Sequence, residues 1–234
     1  MEKINIGNNV FLLPMPMVLV GSRIKGRPNF MAVAWVSRVN ASPNVMCVAI
    51  GNKFTAEGIL ENKEFSINIP SVDLMPQTDL MGIVSGRDYD KSKEFDIFYG
   101  ALKNAPMICE CPVMMECRLV KSVRLEVDTL FMGEVMNVWS EEKYLTNGAP
   151  DITKVSPFCL SMPDNRYWSL GKEIGKAWHE GMKLKDKLQK YNKKSIYEGG
   201  TCLSESPLCH CVCQLNITTC LCLHDPRSLL CFSA

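Results

Sequence analysis

The chain has 234 residues, enough for one well-buried core with a short appendage. Its 26 Lys+Arg and 25 Asp+Glu leave a formal net charge of +1, so there is no basic field to hold a phosphate backbone and nucleic acid is not an expected partner. The longest apolar runs, residues 10–20 and 45–50, are too short to span a bilayer, and the amino terminus lacks the pattern of a secretory signal. A cytoplasmic protein without a membrane partner is expected.

Residues 5–185 read as short strands separated by turn signals. Strand candidates, in order, are 30–39, the continuous apolar run 45–50, the cleanly alternating 65–69 ended by Pro70, 114–120, and 125–138. Lys25-Gly26-Arg27-Pro28, Ser42-Pro43-Asn44 and Asn147-Gly148 mark turns. Helices are few: 55–60 with Thr55 as its cap, and 71–83 capped by Ser71 and interrupted near Pro76. Because strands follow one another mostly without helices between them, an antiparallel β-barrel with peripheral helices is expected rather than a parallel βαβ fold.

After Trp178 the character changes. Residues 183–194 are lysine-rich, suiting a surface helix or a linker, and seven of the 12 cysteines crowd between Cys202 and Cys231. Their C-x-C spacings do not match a zinc ribbon, so no metal site is expected and the segment 186–234 reads as a disordered extension. The other five, Cys47, Cys109, Cys111, Cys117 and Cys159, are expected to be buried small hydrophobes.

Several chemistries are absent. There is no G-x-G-x-x-G, no phosphate-binding G-x-x-x-x-G-K-[ST] loop and no G-x-S-x-G elbow, and only His179 of the three histidines precedes the tail. Three segments suggest something else: Arg27-Pro28-Asn29-Phe30-Met31-Ala32-Val33-Ala34-Trp35, Gly51-Asn52-Lys53-Phe54-Thr55, and Ser85-Gly86-Arg87-Asp88-Tyr89-Asp90-Lys91. A basic turn opening a helix suits a phosphate, since Lys53 brings charge, Thr55 a hydroxyl and the first helical amides partial positive charge.

In order and combination these segments resemble the flavin reductase-like family, and most of all its flavoredoxins. The likeness continues through Ala105-Pro106, Glu116-Cys117, Tyr167-Trp168-Ser169-Leu170-Gly171-Lys172 and Gly175-Lys176-Ala177-Trp178, and covers about residues 5–185. It implies a split antiparallel β-barrel of Greek-key type, one FMN-binding domain over 1–185, and a homodimer with the flavin near the subunit interface. It also implies an FMN site lined by Asn29, Met31, Ala32, Val33, Ala34, Trp35, Lys53, Thr55, Ser85, Gly86 and Lys91. Within that site Lys91 serves either the phosphate or the pyrimidine end of the ring, where a cation would raise the reduction potential. Trp35 is either a flat contact for the ring or a core aromatic. Where relatives commonly carry threonine or serine, this chain has Ala-Val-Ala before Trp35.

No catalytic acid, base or nucleophile stands out, and flavin chemistry requires none. The resemblance thus implies an FMN oxidoreductase that takes electrons from NAD(P)H as a transient co-substrate. Alternatives are an electron carrier reduced by a protein partner and a non-catalytic ligand-binding barrel.

Overall fold

In a computed structural model, residues 1–197 are described, and side chains through residue 188. The chain divides into two compact units, Met1–Lys172 and Glu173–Ala234. In the second, the lysine-rich stretch lies within a helix, Glu180–Tyr197. The cysteine-rich segment lies outside the described residues.

The first unit is built on strands β1 (Met15–Pro16), β2 (Val18–Ile24), β3 (Arg27–Val33), β4 (Val36–Asn40) and β5 (Val45–Gly51), helix α1 (Phe54–Asn62), strand β6 (Glu64–Ile69) and helix α2 (Met75–Ile83). Then come the short β7 (Ile97–Phe98) and β8 (Met107–Ile108), and the long hairpin β9 (Val113–Arg124) and β10 (Asp128–Ser140). Seven strands form one antiparallel sheet in the order β3-β2-β6-β9-β10-β5-β4. Strands β5 and β6 are consecutive in the chain but stand apart in the sheet, with the β9–β10 hairpin between them, which is a Greek-key crossing.

The sequence also dictates the curl. Strands β3 and β4 occupy opposite edges of the sheet, yet only Ala34 and Trp35 separate them. Seven strands laid flat would place those edges about 29 Å apart, while three Cα steps reach only about 11 Å. The sheet must therefore roll until its edges approach, and they do so without pairing to each other: a split barrel. The continuous strand expected over 30–39 is thus two strands, and the break at Ala34–Trp35 is the barrel's seam, where the Ala49 amide donates to the Trp35 carbonyl at 2.9 Å.

Neighbouring residues of β2 go to opposite sides. Val18 and Val20 join Val33, Val48, Ile50, Phe65, Ile67 and Phe131 in the barrel interior with Ala56 and Ile59 of α1. Leu19 joins Phe30, Met81, Phe95, Met107 and Met114 in a second cluster under α2. With both faces covered, β2 has no polar alternation for a sequence reading to detect. In β6 the alternation is real, but its polar face is buried too: Ser66 donates to the Pro106 carbonyl, and Asn68 donates to the Leu19 carbonyl at 3.0 Å and accepts from the Ile108 amide at 3.0 Å.

The turn residues act as their types require. Lys25 and Gly26 both have positive φ, 47° and 77°, the two-residue turn that matches the twist of the β2–β3 hairpin. The cysteines divide differently from expectation. Cys111 and Cys117 are buried, Cys47 and Cys159 half-buried, and Cys109 exposed in the turn after β8. Burial pushes the Cys117 thiol up to about 12, so it is inert at neutral pH. Among the described residues no helix is long and apolar enough to cross a membrane.

Candidate functional site

A cavity of about 160 Å³ opens between the start of α1 and the end of α2. Its walls come from all three sequence segments: Asn29 and Met31 on β3, Lys53 and Thr55 at the start of α1, and Ser85, Gly86 and Lys91 on the loop after α2. Phe54, which stands within the second segment, and Met81–Val84 at the end of α2, which belong to none of the three segments, complete it. Ala32, Val33, Ala34 and Trp35 lie outside this lining. Val33 packs in the barrel core, Ala32 against the second cluster, and Trp35 stands 48% exposed at the seam, not in the core.

Helix α1 begins one residue earlier than expected. Lys53, not Thr55, is the N-cap, with extended backbone (φ −114°, ψ 158°) and no capping hydrogen bond from its side chain. The sequence supplies no Ser, Thr, Asp or Asn at the cap itself; the Lys53 and Ala56 amides find backbone carbonyls, and among the described residues the Phe54 and Thr55 amides, both on cavity-lining residues, have none. Thr55 lies within the first turn and is 2% exposed, and its Oγ1 accepts a hydrogen bond from Asn29 Nδ2 at 2.7 Å.

Helix α2 also differs in its start. The Ser71 side chain makes no cap; a short 3-10 turn, Val72–Leu74, leads into the helix, and Pro76 occupies its first turn. A proline there loses no bond the helix needs. At the far end of α2, Lys91 Nζ donates to the Met81 carbonyl at 2.7 Å. That bond satisfies an orphan carbonyl of the last turn and explains how a lysine only 4% exposed is tolerated. Burial, with the charge of Lys53 adding to it, brings the Lys91 ammonium down to about 8. Among the described residues neither lysine is in an ion pair.

The loop after α2 is fastened to α1 on the outside. Arg87 pairs with Glu57, and its guanidinium lies 5.1 Å from the centroid of the Phe54 ring. Gly86 allows the close approach, since a Cβ there would stand 2.9 Å from both Asn29 Cγ and Phe54 Cδ1. An uncapped helix start, a buried hydroxyl and two unpaired ammonium groups converge on one small space. This donor set suits a phosphate monoester.

Comparison with known proteins gives the same direction. The family model for a flavin reductase like domain matches residues 10–162. The structure is similar to the flavoredoxin of Methanosarcina acetivorans, with 48% identity, coverage of 79% of this chain and 100% of that one, and a TM-score of 0.78. It is also similar to the flavoredoxin of Desulfovibrio vulgaris (Miyazaki F), with 32% identity, coverage of 77% and 100%, and a TM-score of 0.72. An uncharacterized protein of Archaeoglobus fulgidus is 32% identical over 145 residues, 61% of this chain and 81% of that relative. With the model spanning more than half of the chain and the split barrel present, this chain belongs to the flavin reductase-like family.

Proposed function

We propose that the cavity holds the phosphate end of FMN and that the protein is a flavin-dependent oxidoreductase. The observation that carries the reading is the convergence of three distant segments on one space lined by Lys53, Thr55, Lys91 and the uncapped start of α1. When bound, FMN supplies the electron-transfer chemistry through its ring, and the protein supplies position and electrostatics. Lys53 and Lys91 neutralise the dianion, Thr55 and the first amides of α1 donate to its oxygens, and Ser85 and Gly86 close the wall.

The cavity is smaller than the roughly 300–1,000 Å³ that encloses a drug-sized ligand. The ring would therefore lie outside it, where Ala32, Val33, Ala34 and the half-exposed Trp35, which follow the cavity-lining Met31 in the chain, could meet it. A second copy of the chain covering that region would complete the site, and the proposal includes a homodimer. Likeness to two flavoredoxins supports the second reading of the function, an electron carrier reduced by a protein partner, beside that of an NAD(P)H-dependent reductase.

The purified protein is expected to be yellow with one FMN per subunit. Mass spectrometry of the released cofactor checks it; FAD overturns the FMN assignment, and a colourless protein without flavin overturns the reading in favour of a non-catalytic binder. Anaerobic titration with NADPH and NADH then separates the two roles, because rapid bleaching marks the reductase and an unreduced flavin the carrier. Lys53→Ala should weaken FMN binding about 10- to 150-fold, the worth of a charge-assisted contact of about 1.5–3 kcal/mol. Equal affinity of variant and parent at low and high salt would remove Lys53 from the site.

A further inference from the structure

Asn29 on β3, Thr55 on α1 and Gly86 on the loop after α2 meet at the floor of the cavity. Asn29 is 3% exposed and Thr55 2%. Asn29 Nδ2 donates to Thr55 Oγ1 at 2.7 Å. A threonine hydroxyl carries one proton and two acceptor positions. With Asn29 on the acceptor side, the hydroxyl keeps its own proton for another partner.

Among the described residues that proton meets no acceptor. A helical threonine often turns its hydroxyl back on the carbonyl four residues earlier. Here that residue is Gly51, which accepts the Lys53 amide at 2.7 Å and makes no hydrogen bond with the Thr55 hydroxyl. Ser22 holds Thr55 from behind, its Oγ donating to the Thr55 carbonyl at 3.1 Å. Gly86 lets the loop close onto the Asn29 amide, where any Cβ would collide. The three segments thus leave one buried donor aimed at the cavity with nothing in the protein to receive it.

We infer that Asn29 is a positioning residue that holds the Thr55 hydroxyl as a donor, and thereby makes the cavity select a phosphorylated flavin over the same flavin without its phosphate. The inference rests on the FMN reading above. Asn29 suits the role because its amide nitrogen can only donate, whereas a carboxylate could only accept. Asp at this position would draw the Thr55 proton to itself and add a negative charge beside the phosphate.

The test uses the full chain stripped of flavin, with rebinding of FMN and of riboflavin followed by quenching of flavin fluorescence. Asn29→Asp is expected to weaken FMN binding by at least about tenfold while riboflavin affinity changes by less than about threefold, since the lost hydrogen bond and the added charge both act at the phosphate. Thr55→Val should do the same, and Thr55→Ser should keep most of the preference for FMN. Because the two residues act as one unit, the charge-free double variant Asn29→Leu/Thr55→Val should bind FMN no more weakly, within about threefold, than Thr55→Val alone.

Equal losses of FMN and riboflavin overturn the inference, as does an additive double variant. Should Asn29→Asp not fold, Asn29→Ala reads the same ratio, and retained riboflavin binding reports an intact pocket. A parent protein that binds FMN and riboflavin equally overturns the inference but leaves the FMN reading standing. A parent that binds neither overturns the FMN reading, and inorganic phosphate then becomes the probe. In that case a rise in thermal midpoint with phosphate that Asn29→Asp abolishes supports the donor geometry, and an unchanged rise or no rise overturns it.

Discussion

Glu116→Ala is expected to cost about 1–3 kcal/mol of folding stability, the range for hydrogen-bonding groups left without their partner. Glu116 is fully buried at the centre of the sheet, on β9. Its Oε1 accepts from the Ala101 amide at 3.2 Å, from Asn137 Nδ2 at 2.7 Å and from Trp139 Nε1 at 3.2 Å, and its Oε2 from the Leu102 amide at 2.7 Å. The carboxylate therefore ties the loop at 100–102 to both strands of the long hairpin. Gly100 permits the approach, for a Cβ there would stand 2.6 Å from Oε1. Alanine would leave the buried Leu102 amide and the partly buried Ala101, Asn137 and Trp139 donors without this acceptor, in a protein whose total stability is of the order of 5–15 kcal/mol.

The same network sets a pH response. Burial alone would raise the Glu116 carboxyl, but the hydrogen bonds from Leu102, Asn137, Ala101 and Trp139 outweigh it and hold the group below its ordinary 4.5. A carboxylate depressed in the folded state contributes stability above its unfolded value and loses it as pH falls through the folded one. Urea unfolding followed by tryptophan fluorescence should show the parent weakening below about pH 4.5, with Glu116→Gln lacking that component. A loss under about 1 kcal/mol for Glu116→Ala at pH 7 would show that the loop finds other partners.

Much of the fold was legible because the local signals agree with the tertiary demand. Residues 45–50 are apolar throughout and form β5, and residues 65–69 alternate and form most of β6. Strand β2 escaped because burial on both faces removes alternation, and Pro14 and Pro16 just ahead of it read as loop. The seam at Ala34–Trp35 escaped for another reason. Nothing local distinguishes a strand that continues from one that passes to the opposite edge of a closed sheet. Only the pairing of β4 with β5 reveals it.

Site legibility followed the same division. Lys53, Thr55, Gly86 and Lys91 lie in segments whose residue types are unusual together, and they meet at the cavity. Residues 81–84 carry no such signature, and their contribution depends on where the end of α2 is packed. Hydroxyl residues favour the cap position, which makes Thr55 the cap expected from sequence. Its displacement by Lys53 follows from Asn29, which holds the hydroxyl inside the first turn.

Lys91→Met should loosen FMN about 10- to 150-fold at pH 7 and shift the reduction potential of the bound flavin by less than about 30 mV. Two placements of this ammonium have different consequences. At the pyrimidine end of the ring its loss would lower the potential, since the reduced anionic ring would lose a counter-charge. At the phosphate it would weaken binding with little effect on potential. The geometry favours the phosphate, because Lys91 lines the same cavity as Lys53 and feels that charge. The groups around it are the Met81 carbonyl at the end of α2, Asn29 and Arg27 from β3, Lys53 from the start of α1, and Tyr89 and Asp90 from its own loop.

A pH series separates the charge from the packing of the side chain. In the flavin-free protein the Lys91 ammonium titrates at about 8, below its ordinary 10.5. Between those values the unfolded chain binds more protons, so Lys91 makes the flavin-free protein more stable as pH rises through that window. Binding of a phosphate dianion has the opposite sign, because it requires the charged lysine. FMN affinity should be level below pH 8 and fall above it, by at most about tenfold per pH unit for one proton. Lys91→Met keeps much of the bulk and should abolish this fall while binding weakly throughout. Titration of flavin-free protein with FMN from pH 6.5 to 9.5, with a midpoint potential for parent and variant, provides the check. Unchanged affinity with a potential lowered by more than about 30 mV would move the ammonium to the pyrimidine end of the ring.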